Sequence, residues 1–386
     1  MASLRSVSVV IGVACAVGLA VWQGCSIYDS SLLVDAASDA QSDGAVPDAG
    51  DGCNHARWPA RPAADDPSTQ DVEFYNALSF LDFGAGDGGI APTTAYGFDL
   101  DGICTCPGPD SCKPFDDAGS QCDLEGGIDN ATGSLIKEFS GATNFFDQGY
   151  INQGIQTGFF GAIIQVKKYN GQANDTNVEL AIFVSNGTQG AGSDAGPMIP
   201  TFDGGDVWTI APSSLLGGSI SDAGPVPVVA YDLNAYVSDY TLVGNISDMP
   251  LAIGAATGEG LVTIELTGAL VVAKISPFGN SFQTEGTVAG RWESKKLLTS
   301  LQVLHDPFDY DASLCGDDAI YQLLKGRICD FQDIAGNVLD DGKGAPCNAL
   351  SLGFSFKTTP AKYGGTYSPP DSGGGCGPQW TDQCQN

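Results

Sequence analysis

The chain has 386 residues, with 46 acidic side chains against 16 basic ones and a net charge of −30 at pH 7. No basic stripe is available to meet phosphates, so nucleic-acid binding is excluded as a function class. Only eight of the acids are Glu, and the Asp excess comes with 52 Gly and 21 Pro. That mixture describes loop-rich β structure rather than a helical bundle, with an acidic surface suited to solubility and to divalent cations.

Residues 1–24 read as an export signal. Arg5 supplies a short positive region, and Val7 to Trp22 is almost wholly apolar, the length of a secretory core and short for a bilayer span. Gly24-Cys25 follows, a small residue and then a thiol, where a lipoprotein signal peptidase cuts and a diacylglycerol attaches. Cys25 is therefore the expected lipidation site. Trp22 and Gln23 stand where the usual signal has Leu and a small residue, so cleavage by an ordinary peptidase and an uncleaved anchor stay open.

Residues 25–70 are expected to be a disordered spacer, because Asp35 to Gly52 uses almost only Asp, Ala, Ser, Gly, Val, Gln and Pro. Such a stretch cannot bury enough apolar surface to offset its ordering entropy. Order is expected to begin, in extended form, at Arg57-Trp58-Pro59-Ala60-Arg61-Pro62. A single domain is expected over 71–361, followed by a Gly/Pro-rich tail, 362–386, pinned by Cys376 and Cys384.

The first predicted strand is Val72 to Phe83. Gly84-Ala85-Gly86-Asp87-Gly88-Gly89 then matches G-x-G-x-x-G in form only, since Pro92 and a loop follow instead of a helix to hold a pyrophosphate. Residues 98–130 form a cysteine-rich block. Beyond it, Val178, Leu180, Ile182 and Val184 alternate with Glu179, Ala181 and Phe183, and Val262, Ile264 and Leu266 alternate with Thr263, Glu265 and Thr267. Period-two alternation marks a strand with one face buried, so Glu179 and Glu265 are expected to face solvent. Gly268 is expected to turn the second strand back into Leu270–Ile275 as a hairpin. Further strands are expected at 162–169, 207–210, 226–231, 235–243 and 350–357. The Ser-Asp-Ala-Gly-Pro sequences near 193 and 221 read as loop filler. Two short helices are expected. Leu297, Leu298, Leu301 and Leu304 share one face over 292–304. Ile320, Leu323, Leu324 and Ile328 share one over 317–328, with Asp317 or Asp318 as cap. The fold class that follows is mainly β: an antiparallel β-sandwich or jelly roll with two short helices, stapled by disulfides.

Leaving out Cys15 and Cys25, ten cysteines remain, and an even count in an exported chain points to up to five disulfides. Cys104 and Cys106 are each expected to reach Cys112 or Cys122. A zinc site is the alternative for that cluster, but the Cys104-x-Cys106-x5-Cys112 spacing does not match common zinc sites. A straight helix over 317–328 would hold Cys315 and Cys329 about 20 Å apart, so they should not pair with each other. Cys347 is the expected partner for one of them.

Catalytic machinery is scarce. The two histidines, His55 and His305, belong to no H-E-x-x-H, and there is no G-x-S-x-G. The candidate site is for a divalent metal. Asp99 and Asp101 share one face of an extended segment, and Asp129-Asn130 lies across the cysteine-rich block, within reach of its disulfides. Calcium takes six to eight oxygens in irregular loops, and Asp99, Asp101, Asp129 and Asn130 supply such oxygens. The loop is not an EF-hand, since Gly102 falls at position four rather than six. Turn capping is the competing role for these Asp residues, and Asp340-Asp341-Gly342 is a weaker metal candidate.

The Cys25-Ser26-Ile27-Tyr28-Asp29-Ser30-Ser31-Leu32-Leu33 start and the Asp/Ala/Gly spacer resemble those of the uncharacterised secreted and outer-membrane lipoproteins of the myxobacterial type. The Asp99-Leu100-Asp101-Gly102-Ile103-Cys104-Thr105-Cys106 and Gly127-Ile128-Asp129-Asn130 motifs, and Ile164 to Gly171 with its Lys168-Tyr169-Asn170-Gly171 end, resemble them too. The resemblance implies an exported cell-envelope protein and carries no activity. Ser26 in place of Asp after the lipidated cysteine, by similarity to enterobacterial sorting, implies the outer membrane. The expected function is a lipid-anchored binding or structural module whose partners are calcium and a glycan or envelope protein. The alternative is a carbohydrate-active hydrolase on a jelly roll, using paired carboxylates.

Overall fold

The computed structural model describes residues 54–68, 70–84, 96–104, 111–114, 122–139, 147–188, 198–216, 228–254, 261–306, 313–368, 376–377 and 380–384. The export signal with Cys25, the glycine loop after Gly84 and the Ser-Asp-Ala-Gly-Pro loops lie outside them.

The alternation at 178–184 is realised in β3 (Asp175–Ser185). Val178, Leu180 and Ile182 point into the main core together with Ile164 and Val166 of β2 (Gly161–Tyr169). Ala181 and Phe183 face the other way and pack with Ile163 and Trp208 in a second cluster. Such inward side chains contribute about 1.5–3 kcal/mol each. Glu179 and Glu265 lie outside the core, paired with Lys168 (2.6 Å) and Lys296 (3.4 Å).

β1 (Val72–Asp82) pairs with β2 on one side and with β9 (Ala349–Pro360) on the other, all antiparallel. Between them run β3, β5 (Ala230–Ser238), β6 (Thr241–Ile253), β7 (Val262–Phe278) and β8 (Ser281–Glu293). The expected antiparallel, disulfide-stapled β class is present. Its sheet closes into an eight-stranded barrel instead of splitting into the two layers of a sandwich or jelly roll. Inward-outward alternation is common to both forms, so closure is decided by the β1–β9 pairing, which leaves the sheet without a free edge. β10 (Lys362–Thr366) runs parallel to β4 (Val207–Ile210) as a small separate ladder.

Two boundaries differ from expectation. The strand expected at 235–243 is the end of β5 and the start of β6, joined by Asp239 and Tyr240, both at positive φ (47° and 59°). Two such residues form the turn that matches strand twist. Gly268 does not end a strand. β7 runs through it at φ +58°, and β6 pairs with both halves, Asp248↔Thr267 and Ile246↔Ala269. The register against β8 slips between Thr267 and Leu270, so the glycine makes a bulge.

Four α-helices are present among the described residues, against the two expected. α1 (Ala131–Phe139) and α2 (Gln148–Gln156) were not legible; α3 (Ser294–Ser300) and α4 (Ala319–Asp330) match the two predicted faces. Leu297, Leu298, Leu301 and Leu304 are buried as expected. On α4, Leu324 and Ile328 are buried, whereas Leu323 is 58% exposed and Tyr321 takes the inward place. Asp318 caps α4 by accepting the Tyr321 N–H at 2.7 Å.

The cysteine pairing corrects several expectations. Cys112 bonds to Cys347, not to Cys104 or Cys106. Cys315 and Cys329 do not pair with each other, as the helix length required, but neither takes Cys347. Cys315 bonds to Cys376 and Cys329 to Cys384. Cys104 and Cys122 are also disulfide-bonded, so neither is a free thiolate for zinc.

Residues 54–68 fall inside the segment expected to be spacer, yet they lie along the outer barrel wall. Trp58 meets Phe98 edge-on at 6.0 Å, and Tyr236 donates its hydroxyl to Pro59 O at 2.5 Å. Arg61 sits 4.6 Å from the Tyr236 ring and donates to Thr176 O and Asn234 O. Trp58, Phe98 and Leu100 thereby cover the outward side chains of Val243, Leu270 and Ala289. The apolar outer face of three strands is what this strap buries, and composition upstream of it gave no sign of that.

Candidate metal centre

Asp99, Asp101 and Asp129 meet under the strap, with one carboxylate oxygen from each lying within 4.8 Å of the others. Two main-chain links fix this. The Asp99 N–H donates to Ala56 O at 3.1 Å, and the Asp129 N–H donates to Phe98 O at 3.1 Å. Each carboxylate uses one oxygen to organise the loop. Asp99 Oδ1 accepts from Gly102 N (2.7 Å), Asp101 Oδ1 from Ile103 N (2.9 Å) and Asp129 Oδ2 from Leu100 N (2.6 Å). The Asp99 and Asp101 bonds are local Asx-type turns and the Asp129 bond ties two distant segments, so the turn-capping role and the clustering coexist. Asp99 Oδ2 contacts His55 Nδ1 from the strap. Gly127, at φ +68°, passes so close that a Cβ there would lie 2.5 Å from Cys104 Sγ and 3.3 Å from Asp99 Cγ.

Asn130 is not free to join the set. Its Oδ1 accepts from Gly133 N (3.0 Å) and Gly353 N (3.1 Å), and its Nδ2 donates to Tyr96 O (2.8 Å) and Gly353 O (3.1 Å). It caps α1 and ties it to β9. Asp341, from the weaker Asp340-Asp341-Gly342 candidate, is instead the partner of Arg291. The guanidinium donates to both Asp341 oxygens (2.8 and 2.6 Å), to Leu100 O (2.9 Å) and to Ala335 O (3.2 Å). Arg291 is only 1% exposed, and this two-pronged geometry is what a guanidinium does best. It thus grips the residue between Asp99 and Asp101.

The electrostatics follow from burial. Desolvation pushes Asp101 up to about 6, with the Asp99 and Asp341 charges adding to it and the Ile103 N–H and Arg291 opposing it. Asp129 rises well above the ordinary carboxylate value, chiefly by burial and then by the charges of Asp101, Asp123 and Asp333. Burial also raises Asp333 to about 7, against hydrogen bonds from Ser351. Asp341 is raised by burial despite Arg291. Several acids therefore share a small, poorly hydrated volume, where a proton or a cation must offset their mutual repulsion. The three oxygens that approach one another are hard donors, the type that calcium takes. Cys104 Sγ lies 3.4 Å from His55 Nδ1 but is disulfide-bonded and supplies no thiolate.

Elsewhere, a small apolar gap lies between α1, α3, α4 and Trp292, lined by Leu135, Phe139, Leu297, Leu324 and Ile328 among others. No carboxylate lines it. No helix among the described residues is long and apolar enough to cross a membrane.

No family model, no curated protein and no solved structure matches this chain.

Proposed function

We propose that this protein is an exported, lipid-anchored cell-envelope module, attached through Cys25, whose barrel is organised by a calcium ion at Asp99, Asp101 and Asp129 and serves as a binding or structural unit toward a glycan or an envelope protein. The observation that carries the reading is the convergence of those three carboxylates beneath the strap. A divalent cation there would satisfy acids that burial otherwise holds protonated. It would also join the strap-bearing loop to the 122–130 turn. The extracytoplasmic setting is supported by the apolar segment ending at Cys25 and by the disulfides. The hydrolase reading gains no specific observation, since the carboxylates that approach one another are packed against backbone and His55 and the apolar gap contains none.

Two experiments test the two halves. Calcium titration of the full chain by calorimetry is expected to show one site, weakened at least about tenfold by Asp101→Asn; no binding by the parent protein would overturn the metal reading. Labelling with a fatty-acid probe is expected in the parent and lost in Cys25→Ser; labelling that survives the change would overturn the anchor.

A further inference from the structure

The C-terminal segment is fastened across α4 at both of the helix's ends. Cys376 bonds to Cys315, just before the Asp318 cap, and Cys384 bonds to Cys329 in the last turn. Between these bonds, Trp380 meets the Tyr321 ring at 5.3 Å. The Tyr321 hydroxyl donates to Asp382 at 2.7 Å, and Lys325 Nζ donates to both Asp382 oxygens at 2.8 Å. Tyr321, on the first turn of α4, is fully buried. The inner face of the same helix, Leu324 and Ile328, closes the apolar gap over Leu297, Leu301 and Trp292. Trp292 is buried, and its indole N–H has no acceptor. The tail, α4 and the gap thus form a stack in which the outermost layer is held covalently.

The three bonds Cys112–Cys347, Cys315–Cys376 and Cys329–Cys384 differ in access; Cys104 and Cys122, also bonded, belong to the cysteine-rich block, where Cys122 is exposed. Cys112 and Cys347 are both 2% exposed. Cys315 and Cys376 are both half-buried, and Cys329 is buried while Cys384 is half-buried. Thiol–disulfide exchange needs a thiolate to reach a sulfur, so access sets the order of reduction.

We propose that the tail is a redox-sensitive clasp: a dithiol reductant opens Cys315–Cys376 before Cys329–Cys384, freeing α4 to lift from the apolar gap while Cys112–Cys347 stays closed and the barrel stays folded. In each step a thiolate of the dithiol attacks one sulfur, forming a mixed disulfide and releasing one protein thiol. The second thiolate of the reductant then displaces the other protein sulfur and leaves as a cyclic disulfide. Two electrons and two protons pass to each cysteine pair. Once the bonds are open, the described contacts that remain on the tail are the ring contact, the hydrogen bond, one partly exposed ion pair and the packing of Trp380 and Cys384 against the core, and such contacts are individually weak.

The test is a dithiothreitol titration of the full oxidised chain. Free thiols are trapped by alkylation and read cysteine by cysteine by mass spectrometry, with amide hydrogen exchange followed in parallel. Cys315 and Cys376 are expected to be labelled before Cys329 and Cys384, and Cys112 and Cys347 last of these three pairs, with Cys104 and Cys122 followed separately. Exchange in α4 is expected to rise at least about tenfold when the clasp opens, with β7 and β8 unchanged. Unchanged α4 protection with both tail bonds open would overturn the proposal, as would loss of β7–β8 protection in the same step or labelling of Cys112 and Cys347 first. Asp382→Asn keeps every cysteine and removes the ion pair with Lys325, along with one acceptor oxygen. It is expected to lower the reductant concentration at half-release of α4 about threefold, and an unchanged half-point would count against the clasp.

Discussion

Replacing Arg291 by Met removes a buried cation beside the acidic centre while keeping most of the side chain's volume. Arg291 is 1% exposed and donates four hydrogen bonds, two of them to Asp341, whose side chain is 17% exposed. The loss leaves the Asp341 carboxylate without its counter-charge and takes a donor from Leu100 O and from Ala335 O. Breaking a buried pair from one side costs about 3–5 kcal/mol. At about 2 °C per kcal/mol for a domain of this size, melting should fall by about 6–10 °C. Thermal and urea unfolding of the full chain, with disulfides intact, measure this directly. The double change Arg291→Met with Asp341→Leu should recover a large part of the loss, because no uncompensated charge remains. A single-variant loss below about 1 kcal/mol, or a double variant less stable than the single, would refute the view that Arg291 is the centre's counter-ion.

Two further outcomes follow from the same geometry. Asp333 holds its proton to about 7 in the fold against an ordinary value of 3.8. The stability it contributes is therefore complete below about 4 and lost as pH rises through 7; in calcium-free urea melts the parent should weaken from pH 5 to pH 8, and Asp333→Asn should weaken less, whereas equal slopes would count against a protonated Asp333. Gly127→Ala forces a side chain into a left-handed backbone position facing Cys104 and Asp99 and should cost about 2 kcal/mol or more; parent-like melting would show that the loop has another way to pack.

How far the sequence carried the fold depended on which side chains each element places on its faces. β3 buries both faces from Leu180 to Ser185, but its inward positions are Val178, Leu180 and Ile182, and that aliphatic alternation was legible. β8 is buried as continuously from Thr287 to Trp292, but Thr, Ala, Gly and Arg break the alternation, and Arg291 among them looks like a surface residue. After Ala131, α1 continues Thr132-Gly133-Ser134, all weaker helix formers, and depends on Asn130 as its cap. The capping role explains both the missed helix and the Asn130 assignment: the amide that looked like a ligand is committed to backbone. In the centre itself, Asp99 and Asp101 were legible together because they are two residues apart, and Asp129 because it lies at the far end of the same cysteine-rich block. His55, Arg291 and Asp333 were not: His55 comes from the segment expected to be spacer, and Arg291 and Asp333 come from far along the chain, while Asp341 was legible only as a separate, weaker metal candidate.

The central claim is that calcium holds the Asp99–Asp101–Asp129 centre, and the most direct measurement is the melting temperature of the full oxidised chain in calcium and in chelator. Saturation at about a hundred times the dissociation constant adds about 2.7 kcal/mol. The account therefore predicts melting about 5 °C higher in calcium, with the difference cut to about half or less in Asp101→Asn. Equal melting in calcium and in chelator would contradict it.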